Sequence, residues 1–266
     1  MRQPRRTVTR HRVAGLTLRS LTSPGPGAVT FVLVHGIGMS HRYLARLHSA
    51  LSAHGTVVSV DLPGFGGLPK PAHDLDVTQM ADALAGLLDK LRTGPVVVVG
   101  QSMGTQWAVE LAARRRDLTR GVVVIGPVAD ERRRTLLWQA ALLALDTLRE
   151  PPGANALVFS DYLRCGPVWY LAQLRHMLRY RIEDRVSRLQ APLLIVRGSR
   201  DPIATRGWCR RLRAAAREAM LAEIPGRAHN AQHSAPRAVA AAIVHACASM
   251  PTSDAHRHEP SRGNGR

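Results

Sequence analysis

The chain has 266 residues, enough for one large α/β domain with an insertion, and its length forces no second core. Lysine and arginine number 37 against 19 aspartate and glutamate, a net charge of +18, which raises nucleic acid as a partner because clustered cations neutralise phosphates. The distribution argues against it: arginines are scattered through nearly every segment, lysine occurs only at Lys70 and Lys90, and aromatics that could stack on bases make up 4 % of the chain.

From the N-terminus, Met1 to Arg12 is basic but leads into no apolar segment of signal-peptide length. No run reaches the ~18 apolar residues of a membrane span; the nearest, Leu136 to Leu148, is interrupted by Gln139 and Asp146. Cys165, Cys209 and Cys247 are odd in number and far apart, which fits neither a disulfide framework nor a zinc cluster. The expectation is a cytoplasmic protein with reduced thiols.

Apolar, β-branched runs recur at Val29 to Val34, Val57 to Val60, Val96 to Val99, Val122 to Ile125 and Leu193 to Val196, with a weaker one at Met220 to Ile224. Near-continuous hydrophobicity marks strands buried on both faces. Helix-like stretches lie between and after them, at His41 to Ala53, Val77 to Leu91, Met103 to Arg115, Ala204 to Arg217 and Pro236 to Ala248. Strands alternating with helices predict an α/β fold with a doubly wound, mostly parallel sheet.

The alternation breaks between Val128 and Gln190, where three helix-like segments occur without a convincing strand. This predicts a helical cap over 129–190, inserted into a core formed by 1–128 and 191–250. Its first segment, Thr135 to Leu148, is apolar around most of its circumference, which suits packing onto the core, a wall over a hydrophobic substrate site, or both. Pro251 to Arg266 is polar and aperiodic, and is expected to be disordered.

The most informative segment is Gly100-Gln101-Ser102-Met103-Gly104, directly after the strand run Pro95 to Val99. A serine on so sharp a strand-to-helix turn needs small neighbours, and Gly100 and Gly104 meet that need. The turn lifts the Ser102 hydroxyl above the carboxyl end of the sheet, and the Met103 N–H sits at a helix N-terminus where negative charge is stabilised. A serine hydroxyl is a poor nucleophile without a base, and the base needs a carboxylate to hold its tautomer. Both must come from loops at the same sheet end. Asp201 lies a few residues past the strand Leu193 to Val196, and His229 follows the last strand in Ile224-Pro225-Gly226-Arg227-Ala228-His229. Asp130, after the strand Val122 to Ile125, is a rival carboxylate, and His233 a rival base that reads better as a helix-start residue. Asp61 reads as a turn-capping carboxylate.

Five motifs in order carry a family resemblance: His35-Gly36-Ile37-Gly38, Asp61-Leu62-Pro63-Gly64-Phe65-Gly66, the serine turn, Gly198-Ser199-Arg200-Asp201-Pro202, and Gly226-Arg227-Ala228-His229. Over roughly Val29 to Ala248 the chain resembles an α/β-hydrolase fold protein of the serine hydrolase branch. The resemblance implies Ser102 as nucleophile, His229 as base, Asp201 as its orienter, an oxyanion hole from the N–H groups of Ile37 and Met103, and a structural His35. Two positions depart from the family pattern: Thr105 where many relatives carry a second glycine, and Gly67-Leu68 where a small polar residue is usual. A serine at the nucleophile position disfavours the branches that form an ester on an aspartate.

The expected function is hydrolysis of an ester or related acyl bond of a small to medium hydrophobic molecule, without metal, nucleotide or other cofactor. Carbon-carbon bond hydrolysis, and thioesterase or acyltransferase chemistry on carrier-bound acyl groups, use the same triad and stay open. A non-catalytic receptor on this fold would normally have lost part of it. Arginines 132, 133, 134, 164, 175, 179, 181 and 185 of the cap read as a solvated face; several of them at the entrance rim would attract an acidic acyl carrier or coenzyme A, with Trp138, Phe159 and Trp169 contacting the acyl chain.

Overall fold

The computed structural model describes residues 6–134 and 152–250, so the expected first cap segment and the expected disordered tail lie outside the described residues. Eight strands form one sheet: β1 (Thr7–Val13), β2 (Leu16–Ser23), β3 (Thr30–Val34), β4 (Thr56–Asp61), β5 (Val96–Gln101), β6 (Thr119–Ile125), β7 (Leu193–Gly198) and β8 (Ala219–Ile224). Their spatial order is β1-β2-β4-β3-β5-β6-β7-β8. From β4 to β8 across the sheet every pair is parallel, while β1 and β2 run antiparallel.

Residues alternate between the two faces of each central strand, and both faces are covered. Val32, Val34, Val96 and Val98 pack with α2 (Val77–Leu91), α3 (Gly104–Arg114) and Trp208 and Leu212 of α7 (Arg206–Ala215). Phe31, Leu33, Val97 and Val99 pack on the other side with α1 (Ala45–Leu51) and α9 (Pro236–Ala248). Two-sided burial is why these strands read as unbroken apolar runs. α2 opens on a capping box: the Asp76 carboxylate accepts from Gln79 N–H at 2.8 Å, and the Gln79 side chain accepts from Asp76 N–H at 3.0 Å.

The hairpin β1–β2 is absent from the strands expected from sequence. Its turn residues Ala14 and Gly15 have φ of 46° and 81°, the positive pair that a tight two-residue hairpin requires. β1 is an edge strand, mostly exposed and carrying Arg10 and Arg12, so it lacks the continuous apolar signature of the others.

Between β6 and β7 the chain forms α4 (Pro152–Cys165), α5 (Pro167–Arg179) and α6 (Ile182–Val186). Tyr162 packs on Gly38 and Trp169 on Gly64, so the inserted helices rest on the loops after β3 and β4. Two buried amides tie them down: Gln106 donates to the Met177 carbonyl and Gln173 to the Leu75 carbonyl, each at 2.9 Å. A buried carboxylate on α3, Glu110, accepts from Thr78, Tyr180 and Arg185. The three cysteines are buried free thiols, and burial pushes them up to about 11 for Cys165 and Cys247 and about 12 for Cys209.

His48 is buried between Ser59 and Ser23, with both ring nitrogens 2.8 Å from a hydroxyl. Burial, helped by the nearby charges of Arg6 and His41, lowers its pKa to about 4. The unfolded chain takes up this proton near pH 6.5 and the folded protein only near 4, so stability falls as pH drops through that window. His48 alone should account for roughly 3 kcal/mol of the loss. Urea midpoints measured from pH 7 to pH 4.5 should therefore decline, and His48→Gln should make the decline shallower; an unchanged slope would contradict the assignment.

Candidate active site

β5 runs straight into the turn at Ser102, whose φ is 54°, and then into α3. A left-handed serine is strained, so the turn must be held from outside. The hold is close packing. A Cβ at residue 104 would lie 2.5 Å from the carbonyl oxygens of Val34 and His35, and one at residue 100 would lie 2.2 Å from the Gly104 oxygen. Ser102 N–H donates to Ile125 O on β6 at 2.9 Å, and the Ser102 carbonyl accepts from the Thr105 hydroxyl at 2.6 Å. Thr105 thus braces the serine that it follows.

The loop after β3 closes on this turn. A Cβ at Gly36 would stand 3.0 Å from Ser102 Cβ, which places the Gly36-Ile37 backbone beside the serine. Met103 is fully buried as the residue preceding α3, so the Ile37 and Met103 segments flank Ser102 from two elements. His35 is fully buried against Phe65 and Trp107. Its Nε2 accepts from Leu62 N–H at 3.2 Å, which leaves Nδ1 to donate to the Gly36 carbonyl at 2.8 Å. Burial, only partly offset by Asp61, keeps this ring below the usual histidine range and neutral, as that pattern of bonds requires.

Asp201 and His229 meet in the interior. His229 Nδ1 is 3.0 Å from Asp201 Oδ2, and the Asp201 side chain has no exposed surface. The other carboxylate oxygen accepts from Ile203 and Ala204 N–H at 2.8 and 2.9 Å. Burial pushes the Asp201 carboxyl up, but the His229 beside it and these N–H donors outweigh burial and hold it below the usual carboxylate range. The His229 ring lies against Gly126, where a Cβ would be 2.8 Å from Cε1; Gly126 directly follows Ile125, the acceptor of Ser102 N–H. Serine, histidine and aspartate therefore gather at one end of the sheet.

A model of the alpha/beta hydrolase family matches residues 31–242. The chain belongs to the α/β hydrolase family. Similar sequences include the 2-(acetamidomethylene)succinate hydrolase of Mesorhizobium japonicum, 36 % identical over 91 residues, 34 % of this chain and 33 % of that enzyme. The chain thus aligns with about a third of that relative's length. A putative hydrolase LipZ of Mycobacterium tuberculosis is 28 % identical across 83 % of this chain and 89 % of its own. Among solved structures, the enol-lactonase of Burkholderia xenovorans superposes with a TM-score of 0.78 at 22 % identity, covering 90 % of this chain and all of that one (100 %). The shared architecture is that of an α/β hydrolase, with an eight-stranded sheet flanked by helices.

The rival side chains have other partners. Asp130 accepts from Arg132 N–H at 3.1 Å and is ion-paired with the Arg211 guanidinium at 2.5 Å, whereas the carboxylate bonded to His229 is that of Asp201. His233, in the short helix α8 (Ala231–Ser234), stacks on Tyr43 with ring centroids 5.3 Å apart. Asp61 is buried and accepts from Arg19 at 2.8 Å, from His41 Nδ1 at 2.8 Å and from His41 N–H at 2.6 Å, so it caps the segment after the His35 loop rather than only its own turn. Burial would raise it, but the bonds and charge of His41 dominate and lower it. Sequence reasoning missed Asp161, buried on α4, which accepts from Ser40 at 2.6 Å and from Arg42 at 3.2 Å. Nothing short of the fold brings positions 121 residues apart together.

The glycine contacts set a specific expectation. Gly104→Ala forces the Val34 and His35 carbonyls apart and should cost at least ~1–3 kcal/mol, the scale of overpacking in a tight interior. The urea midpoint of Gly104→Ala should fall with an unchanged m-value. A stability equal to that of the parent protein would show that the turn is not held by this contact.

Proposed function

We propose that this α/β hydrolase is a serine hydrolase that cleaves an ester or related acyl bond of a small to medium hydrophobic substrate. The observation that carries the reading is the buried His229–Asp201 bond at the sheet end where Ser102 occupies its left-handed turn. On this reading Ser102 Oγ attacks the acyl carbon and its proton passes to His229 Nε2. Asp201, already committed through its second oxygen to two backbone donors, keeps the Nδ1 proton in place and stabilises the imidazolium. The oxyanion is received by the N–H groups of Ile37 and Met103, each contributing on the order of 3 kcal/mol in the transition state. His229 then gives its proton to the leaving group. Water, deprotonated by the same histidine, releases the acyl group.

The helices between β6 and β7 act as a cap on this reading, with Trp169 and Tyr162 seated on the loops beside the serine. Carrier recognition finds less support than a free small molecule. Of the cap arginines, Arg134, Arg164, Arg175, Arg181 and Arg185 each reach a carboxylate, at Glu183, Asp161, Asp74, Asp184 and Glu110. A paired cation adds little long-range attraction for an anionic carrier. Among the described residues no helix is long and apolar enough to cross a membrane.

Ser102→Ala should leave the thermal melt intact and lower turnover of a short-chain aryl ester by a factor on the order of 10⁶. Activity retained in the folded variant would end the assignment. Asp201→Asn should depress kcat strongly with little change in KM because the imidazole tautomer is no longer fixed, whereas Asp130→Asn should not. The reverse result would move the orienting carboxylate to Asp130.

A further inference from the structure

We infer that Arg197 is a positioning residue, a guanidinium clamp that fixes the loop bearing Asp201 and so sets the carboxylate against His229. The inference rests on the triad reading above and concerns what holds its third member in place.

Arg197 lies on β7, one residue before the loop, in a strand otherwise made of Leu, Ile, Val and Gly. It is only 4 % exposed, unlike most arginines of this chain. A buried cation costs desolvation unless its donors are used, and here they are. Nε donates to the Ala204 carbonyl at 2.7 Å, and Nη2 donates to the Asp201 carbonyl at 3.3 Å and the Ser199 carbonyl at 3.4 Å. Nη1 pairs with the Glu223 carboxylate on β8, directly across the ladder. One planar fork therefore gathers three carbonyls of the loop between β7 and α7.

Two of those bonds, to the Asp201 and Ala204 carbonyls, are buried, and the one to Ser199 is half-buried. Asp201 N–H reaches back to the Gly198 carbonyl at 3.1 Å, and the N–H groups of Ile203 and Ala204 are spent on Asp201 Oδ1. Buried carbonyls need donors, and Arg197 supplies them. Asp201 is then held at both ends: its main-chain oxygen by Arg197 and its Oδ1 by two N–H groups, with Oδ2 directed to His229 Nδ1. Lysine carries the charge but not the fixed, planar set of donors.

A plainer role for Arg197 is as a cross-strand brace for β7 and β8 through Glu223. The two roles separate experimentally. In the clamp, loosening the loop withdraws the counter-charge from the imidazolium, so the histidine loses its proton more easily and the acid limb of kcat/KM moves to lower pH. Arg197→Gln should lower kcat by on the order of 10²-fold, as a misplacement of about 1 Å does, with KM little changed. Arg197→Lys, which keeps the pairing with Glu223, should show the same limb shift and serves if the glutamine variant fails to fold. Glu223→Gln removes the cross-strand pair and a longer, exposed pairing with Arg206 at the start of α7, but leaves the three carbonyl bonds of Arg197 in place, and should keep the parent limb and kcat even where its melting temperature falls.

The measurement is the pH profile of kcat/KM and of kcat for hydrolysis of a short-chain aryl ester by the four proteins, with Asp201→Asn run alongside. Parent-like kcat and acid limb in folded Arg197→Gln or Arg197→Lys would overturn the clamp, as would a Glu223→Gln variant with the same lowered kcat and the same limb shift as the Arg197 variants. If Asp201→Asn itself keeps the parent kcat, the triad reading falls and the clamp with it; if Asp201→Asn is crippled and the Arg197 variants are not, only the clamp falls.

Discussion

The start of α3 lies so close to the end of β3 that a Cβ at residue 104 would stand 2.5 Å from the carbonyl oxygens of residues 34 and 35, with no room for a side chain. The rest of the site depends on it. It lets β5 turn into α3 within a few residues, keeps Ser102 at a φ of 54° that it would not hold alone, and sets the His35-to-Gly38 loop against the serine in the same contact. A sheet buried on both faces makes the approach possible, because the strand ends are fixed by layers of packed helices rather than by the turn itself.

Around that contact, the buried side chains that shape the candidate site are held by polar bonds as well as by apolar packing. His35 bridges Leu62 N–H and the Gly36 carbonyl, Asp61 collects Arg19 and His41, and Asp201 is gripped by two backbone donors. Each bond contributes modestly when made, and leaving any one partner buried alone would be costly. That asymmetry favours one arrangement of the loops. The inserted helices join the same network through Asp161, whose carboxylate reaches Ser40 and Arg42 just beyond the His35 loop. The seating of these helices and the geometry of that loop are thereby coupled.

Much of this was legible in the sequence, for physical reasons. Two-sided burial writes itself as unbroken runs such as Val96 to Val99, and α2 and α9 were bounded at Val77–Leu91 and Pro236–Ala248 by their apolar periodicity. The serine turn was readable because it needs glycine on both sides. The β1–β2 hairpin was not, since an exposed, arginine-bearing edge strand has neither run nor strict alternation, although the Ala14-Gly15 pair between β-prone residues was a usable signal. Arg197 and Asp161 were hidden for another reason. In a chain with 37 basic residues one more arginine carries no signal, and the burial that distinguishes this one is a property of the folded strand. Asp130 and Asp201 looked alike as loop carboxylates after strands; only tertiary placement separates the one paired with Arg211 from the one paired with His229.

The central claim, a serine made nucleophilic by the His229–Asp201 pair, is tested most directly by covalent labelling. Treating the protein with a fluorophosphonate, in which the attacking oxygen bonds to phosphorus and fluoride departs, should give one adduct per chain, mapped by peptide mass analysis to the segment containing Ser102. Labelling should be slowed severely in His229→Gln and absent in Ser102→Ala. No adduct on the folded parent protein, or an adduct that persists in Ser102→Ala, would contradict the account.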